Sequence, residues 1–350
     1  MTLRATVALG IRKLNRTKRM VVFAWILNVL VALVVAGPML GMLDASIAPT
    51  VMEERLVERL DLNWIETFKA DHPNNAIARM LGLSMLGAAP FYDHLNEMIN
   101  GNTVKAIGKF FAGLLFEFKV HTELLDVGLL LVLVYILLWT YLSGGFIGVY
   151  SREHRSSFSE FLQLGARYFG KFFRLALIQL LVYFLLFSVL VDWASGNIRS
   201  WTSGEASEMT AYVYFMLRNV LVLFLIGFLS LGFDYAKVRM VVDSRVSSLA
   251  AFGAGFRFVV THPVQTVALG LLLAALGVVF AGVFVLLEGK VVQSSFWMIL
   301  LLFILQQIYV WSRQLLRAAY YATETSLYQG YARETGAEKT RGDVVPEPEG

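Results

Sequence analysis

The chain has 350 residues, 57% of them hydrophobic and 16% charged, with a mean hydropathy of +0.63 and a formal net charge of +4. A soluble domain is closer to half apolar and a quarter charged, so this balance points to a membrane protein. There is no cysteine, which excludes disulfides, thiolate nucleophiles and cysteine-held clusters or zinc.

A helix needs about 20 apolar residues to cross hydrocarbon about 30 Å thick. Taken in chain order, the residues predict an all-α polytopic protein with six such spans. Residues 1–19 form a basic amphipathic segment, with Leu3, Val7, Ile11 and Leu14 on one face beside Arg12 and Arg16. The first span is 20–43, a run too long for a signal-peptide core and so an uncleaved anchor. A large helical loop, 44–122, follows on the far side. Its parts 51–69 and 105–119 carry apolar residues at helical spacing and read as helices lying in the membrane surface. The second span is 123–142. Residues 143–174 form a second amphipathic helix, with Phe158, Phe161, Tyr168, Phe169 and Phe172 on one face. Spans three and four, 175–191 and 211–233, are joined by an outer loop at 192–210. A third amphipathic segment, 234–263, carries Leu249, Phe252, Phe256 and Val259 and ends at His262-Pro263. Spans five and six are 264–287 and 291–312. The last continues as a helical extension, 313–334, before a polar tail, 335–350, expected to be disordered.

Six basic residues precede the first span. Five and four occupy the two later amphipathic segments, and five follow the last span. Outside the long loop only Arg199, Arg218 and Lys290 lie toward the other side. The positive-inside rule therefore places both termini in the cytoplasm.

Two stretches repeat. Leu-Ser-x-Gly-Phe occurs at Leu142–Phe146 and Leu229–Phe233, 87 residues apart, each followed by an arginine, Arg152 or Arg239. Gly-x-Arg marks each amphipathic segment, at Gly10-Ile11-Arg12, Gly165-Ala166-Arg167 and Gly255-Phe256-Arg257. With the large loop discounted the intervals agree, which predicts a threefold parallel repeat of amphipathic helix, outward span and inward span.

Polar residues inside the spans are few: Asn28, Gln179, Asn219, Gln306 and Gln307, with Arg218 near the outer boundary. The amides read as interhelical hydrogen-bond partners. Asp192 ends the preceding span on the side of Arg218, and the two are expected to pair. Arg152, Arg167, Lys171, Arg174, Lys237, Arg239 and Arg257 stand at headgroup depth as candidate lipid-phosphate contacts. Gly270, Ala274, Gly277 and Ala281 form a small-residue stripe, and Gly37 and Gly41 a GxxxG pair, both recipes for close helix contact in a compact bundle. His72, His94 and His121 of the large loop have suitable metal-ligand chemistry but match no metalloenzyme spacing. No catalytic, cofactor or metal site is expected.

The inner segments "GARYFGKFFRLAL" and "DYAKVRMVVDSRVSSLAAFGAGFRFVVTHP" give the chain a resemblance to bacterial six-span membrane families, including the membrane domain associated with some glycerophosphodiester phosphodiesterases. The resemblance implies a multi-pass protein of the bacterial inner membrane and brings no catalytic residue. The expected function is non-enzymatic: a scaffold or assembly partner that meets membrane lipids and other membrane proteins, not nucleic acid. The alternative is a transporter of a lipid or apolar small molecule, with a cavity lined by Asn28, Gln179 and Gln306. A membrane enzyme using the loop histidines stands third.

Overall fold

The computed structural model describes residues 2–47, 62–73, 89–113, 127–204, 207–243, 246–291 and 295–342. All regular structure among them is helical. The order is α1 (Leu3–Arg16), α2 (Lys18–Ile47), α3 (Leu62–Asp71), α4 (Ala89–Asn100), α5 (Asn102–Ala112), α6 (Val127–Tyr150), α7 (Phe158–Leu185), a π-helical turn (Leu186–Val191), α8 (Asp192–Thr202), α9 (Glu208–Val242), α10 (Ser248–Thr261), α11 (Pro263–Glu288) and α12 (Phe296–Gly342). Among the described residues six stretches are long and apolar enough to cross a membrane: α2, α6, α7 with its continuation, α9, α11 and α12. The chain is thus an all-α polytopic protein.

Local sequence sets the helix starts. Ser157 and Glu160 form a capping box that opens α7, with Glu160 N donating to Ser157 Oγ at 3.1 Å and Ser157 N to the Glu160 carboxylate at 2.9 Å. Ser247 caps α10, and Pro263, whose missing N–H costs nothing in a first turn, opens α11. Between these signals the helices run further than the amphipathic pattern suggests. No breaker separates 174 from 175, so the amphipathic face of Phe158–Phe172 and the third span form one helix. Likewise α6 continues to Tyr150 and α9 to Val242, whereas α1 and α10 each end before the span that follows them. Helix α12 extends to Gly342, into the segment expected to be disordered, whose last residues lie outside those described.

Most of the buried side chains gather at one end of the bundle. They come from the start of α2 (Met20, Val21, Ala24), the end of α6 (Leu142, Phe146, Tyr150), the start of α7 (Phe161, Phe172), the end of α9 (Phe233, Ala236, Met240) and residues 318–322 of α12. Tyr235, Val259, Leu269 and Leu327 extend this hub beneath α1. Toward the other end the spans separate: 44% of the apolar stretch of α6 is buried, against 11% for α9, α11 and α12. Lipid tails solvate apolar side chains as well as other helices do, so only surface that meets water must be buried.

Three helix pairs build the hub, each closed on a glycine. A side chain at Gly165 of α7 would meet Tyr141 O of α6 at 3.0 Å, and one at Gly144 would meet Gly165 O at 3.3 Å. A side chain at Gly255 of α10 would collide with Gly232 O and Ala236 N of α9. A side chain at Gly10 of α1 would run into Thr323 of α12. Each helix of the Gly-x-Arg kind therefore lies against the end of the second, fourth or sixth span, and the first helix lies against the last.

At the opposite end α5 seats on α7. Gly101 has a φ of 61°, and its backbone abuts Phe187 of the π-helical turn, while Gly108 abuts Phe184. Only glycine fits position 101, on conformation and on space alike. Ile107 is buried in the same contact. The expected 105–119 helix thus begins earlier, and residues after 113 lie outside those described.

Candidate functional site

On α12, Arg317, then Tyr320 or its neighbour Tyr321, then Glu324 and Tyr328 follow at steps of three or four, which puts them on one side of the helix. That side meets α6 and α9. Arg317 Nη1 donates to Tyr135 Oη of α6 at 3.3 Å, and its guanidinium lies 3.8 Å from the Trp139 ring centre. On α9, Lys237 Nζ donates to Asp234 Oδ1 at 2.8 Å, one turn back, with 18% and 22% of the two side chains exposed.

Glu324 has no such partner. It is 1% exposed, and neither carboxyl oxygen receives a hydrogen bond. Asp234, Lys237, Tyr235 and Tyr320 lie within electrostatic range. The Tyr235 hydroxyl is also buried without a partner, whereas Tyr320 Oη donates to Gly270 O at 3.0 Å. A buried carboxyl lacking donors is costly. Chemically it can take up a proton or accept a small cation. Among the described residues no three His, Asp or Glu side chains converge as a metal site would require.

A second polar group ties the hub's surface. Lys13 Nζ donates to Gln329 Oε1 at 3.0 Å, and Gln329 Nε2 donates to Ser151 O at 2.7 Å. Arg16 reaches Glu153 O at 3.2 Å, and Arg333 pairs with the Glu153 carboxylate. These contacts bind α1, α12 and the α6–α7 turn together. Burial pushes the Lys13 ammonium down from its ordinary 10.5 to about 8; Arg333 and Arg16 push the same way, and Glu153 opposes them.

The predicted headgroup residues divide. Arg167, Arg174 and Arg257 are exposed, and Lys171 is half-buried. Arg152 leans on Glu160 at 3.3 Å. Lys237 and Arg239 instead turn into the hub: Lys237 pairs with Asp234, and Arg239 Nε is buried beside Tyr328. The reason is that α9 runs past residue 233, so its last turns lie between α10 and α12 instead of along a membrane surface.

Asp192 and Arg218 do not form the expected pair. Lys105 of α5 takes the Asp192 carboxylate at 2.6 Å. Arg218 donates to Ser195 Oγ at 2.6 Å and, through Nε and Nη2, to Asn219 Oδ1 at 3.0 and 2.6 Å. The long loop supplies a nearer cation, which span-by-span reading does not anticipate. Asn28 is half-buried, Gln179 stands by Tyr183 of its own helix, and Gln306 is exposed. Gln307 has a buried, unpartnered Oε1. Among the described residues no hydrogen bond joins Asn28, Gln179 and Gln306. His72 Nδ1 lies 3.0 Å from Phe68 O. Burial and nearby Arg313 hold His94 below its ordinary value, against Glu97. His121 lies outside the described residues.

Sequence reading misses Asp234, Arg317 and Glu324, because each sits where a span was taken to have ended. The signal available is the aromatic stretch Tyr320-Tyr321…Tyr328 around a single acid. Comparison with protein-family models, curated proteins and solved structures returned no match.

Proposed function

We propose that the protein is a non-enzymatic membrane scaffold of the bacterial inner membrane. The hub faces the cytoplasm with both termini, and the spans serve as contact surfaces for lipids and other membrane proteins. The observation that carries this reading is the contrast between a closed hub and spans of which as little as 11% is buried. Interhelical contact in a membrane depends on small residues that let backbones approach. At Gly37 and Gly41 of α2 a side chain would meet nothing within 4 Å, so that pair is left open among the described residues. Ala274 of the α11 stripe is likewise exposed, although Gly270 and Gly277 meet Leu231 and Leu316.

The scaffold is a ring of three related units. Gly165 against α6, Gly255 against α9 and Gly10 against α12 occupy corresponding places in the order of the units, each with its own set of contacting atoms. The last of them returns the chain to its start, as a cyclic repeat requires.

Site-specific photo-crosslinking in native membranes tests the reading. A photoreactive residue at Leu33 or Phe224, 53% and 68% exposed, is expected to give protein adducts of discrete mass, and one at buried Phe146 only internal links. Single cysteines at 28, 179 and 306 separate this from transport through water. Labelling of all three by an aqueous thiol reagent would overturn the scaffold reading.

A further inference from the structure

At the end away from the hub, two shallow troughs meet along α8 and the π-helical turn. One, about 230 Å³, is lined by Trp193, Ile198, Trp201, Tyr214, Leu217 and Arg218. The other, about 330 Å³, shares Trp193 and continues over Leu185, Val189 and Leu190. We propose that together they bind one anionic phospholipid of the leaflet at that end, with its phosphate at Arg218 and an acyl chain along the second trough.

The charge is the first reason. Arg218 donates to two neutral oxygens, those of Ser195 and Asn219. Among the described residues no carboxylate comes within the 4.0 Å of an ion pair. Arg199 adds a second positive charge within range, and Asp192, the acid within electrostatic range among the described residues, is held by Lys105. Among the described residues the site thus carries net positive charge at the mouth of an apolar trough. A guanidinium pairs with a phosphate through two parallel N–H···O bonds.

Shape is the second. From Leu185 to Trp193 an α-helix would rise about 12 Å and the wider π turn somewhat less, a length that fits within one hydrocarbon leaflet of about 15 Å. The wider π turn sets Val189 and Leu190 outward, 59% and 39% exposed, and leaves the trough between them and Trp193. Trp193 and Trp201, each 64% exposed, flank the mouth as aromatic side chains do at a membrane interface. A cation above a purely apolar trough fits a headgroup and a chain; a partner helix would need small residues or polar partners along its length. This lipid site does not rest on the scaffold reading and holds for a transporter equally.

The test uses the purified full chain with phosphatidylglycerol or phosphatidylcholine, and counts retained lipids by native mass spectrometry. Wild type is expected to retain one phosphatidylglycerol about fivefold or more over phosphatidylcholine. Arg218→Gln should abolish the preference, Arg218→Lys keep part of it, and Lys290→Gln leave it intact. Leu221→Trp, which fills the first trough, should lower retention of both lipids. Equal retention by wild type overturns the site. So does a preference that survives Arg218→Gln, which would mean that acids of the chain itself answer Arg218. If Arg218→Gln elutes as misfolded protein, Leu221→Trp decides: unchanged retention there overturns the proposal.

Discussion

Asp234 and Glu324 stand on facing helices, yet only Asp234 has a bonded cation. Removing Lys237 leaves a largely buried carboxylate uncompensated. Lys237→Met is expected to cost about 2–4 kcal/mol, toward the lower figure because about a fifth of each partner still meets solvent. Glu324 gives the opposite sign. Its oxygens have no donors to lose, so Glu324→Met, similar in length and apolar, should raise stability by about 1 kcal/mol. Thermal unfolding in detergent, followed by tryptophan fluorescence, reads both. A fall on replacing Glu324 would mean that its carboxyl has a partner after all. Such residues are the least legible in sequence. Arg218 declares itself by lying inside an apolar run, but its acceptors, Ser195 and Asn219, depend on how α8 lies against α9. Lys237 reads as a headgroup anchor because composition at a span end cannot distinguish a lysine facing lipid phosphate from one facing an aspartate one turn away.

Helix positions and faces are more legible, because 20 apolar residues and a 3.6-residue period leave few alternatives. Helix ends are not. With no breaker near residue 174, amphipathic and apolar halves fuse into α7, and composition alone does not mark the water boundary inside a continuous helix. The glycines are legible as a pattern, and their partners become visible only in three dimensions. If the three contacts are equivalent, Gly10→Leu, Gly165→Leu and Gly255→Leu should each cost about 2–4 kcal/mol by forcing backbones apart. Gly37→Leu, facing open space, should stay within about 0.5 kcal/mol of wild type. Cysteines placed together at Gly10 and Thr323 should cross-link, and failure to do so would open the ring. Docking of α1 also carries a pH signature. Lys13 holds its proton less tightly when folded, about 8, than in the free chain at 10.5. Below pH 8 both states are protonated and the full burial cost applies. Between pH 8 and 10.5 the unfolded chain binds more protons, so stability rises with pH. Wild-type melting temperature should therefore climb relative to Lys13→Met across that window, and a flat difference would mean that Lys13 is solvated.

For the molecule as a whole, stability and function separate along the bundle axis. On the scaffold reading the hub end meets water and has to bury apolar surface, while the distant span faces have a solvent in lipid. A large aromatic at either end should therefore respond differently to truncation. Phe146 is 1% exposed, contacts Phe161 and Tyr321, and belongs to the central cluster. Phe146→Ala removes a buried ring and leaves a cavity that close-packed neighbours only partly refill, a loss of about 3–5 kcal/mol. Phe224, on α9, is 68% exposed. Phe224→Ala empties no internal space and should change stability by no more than about 0.5 kcal/mol. On the scaffold reading the same change removes part of a contact surface, so adducts from a neighbouring photoreactive residue should fall while the melting curve stays in place. Paired measurements on the two variants, melting temperature against crosslink yield, distinguish the cases. A large stability loss at Phe224 would mean that the spans carry the fold. Unchanged stability with unchanged adducts would mean that this face of α9 meets lipid alone.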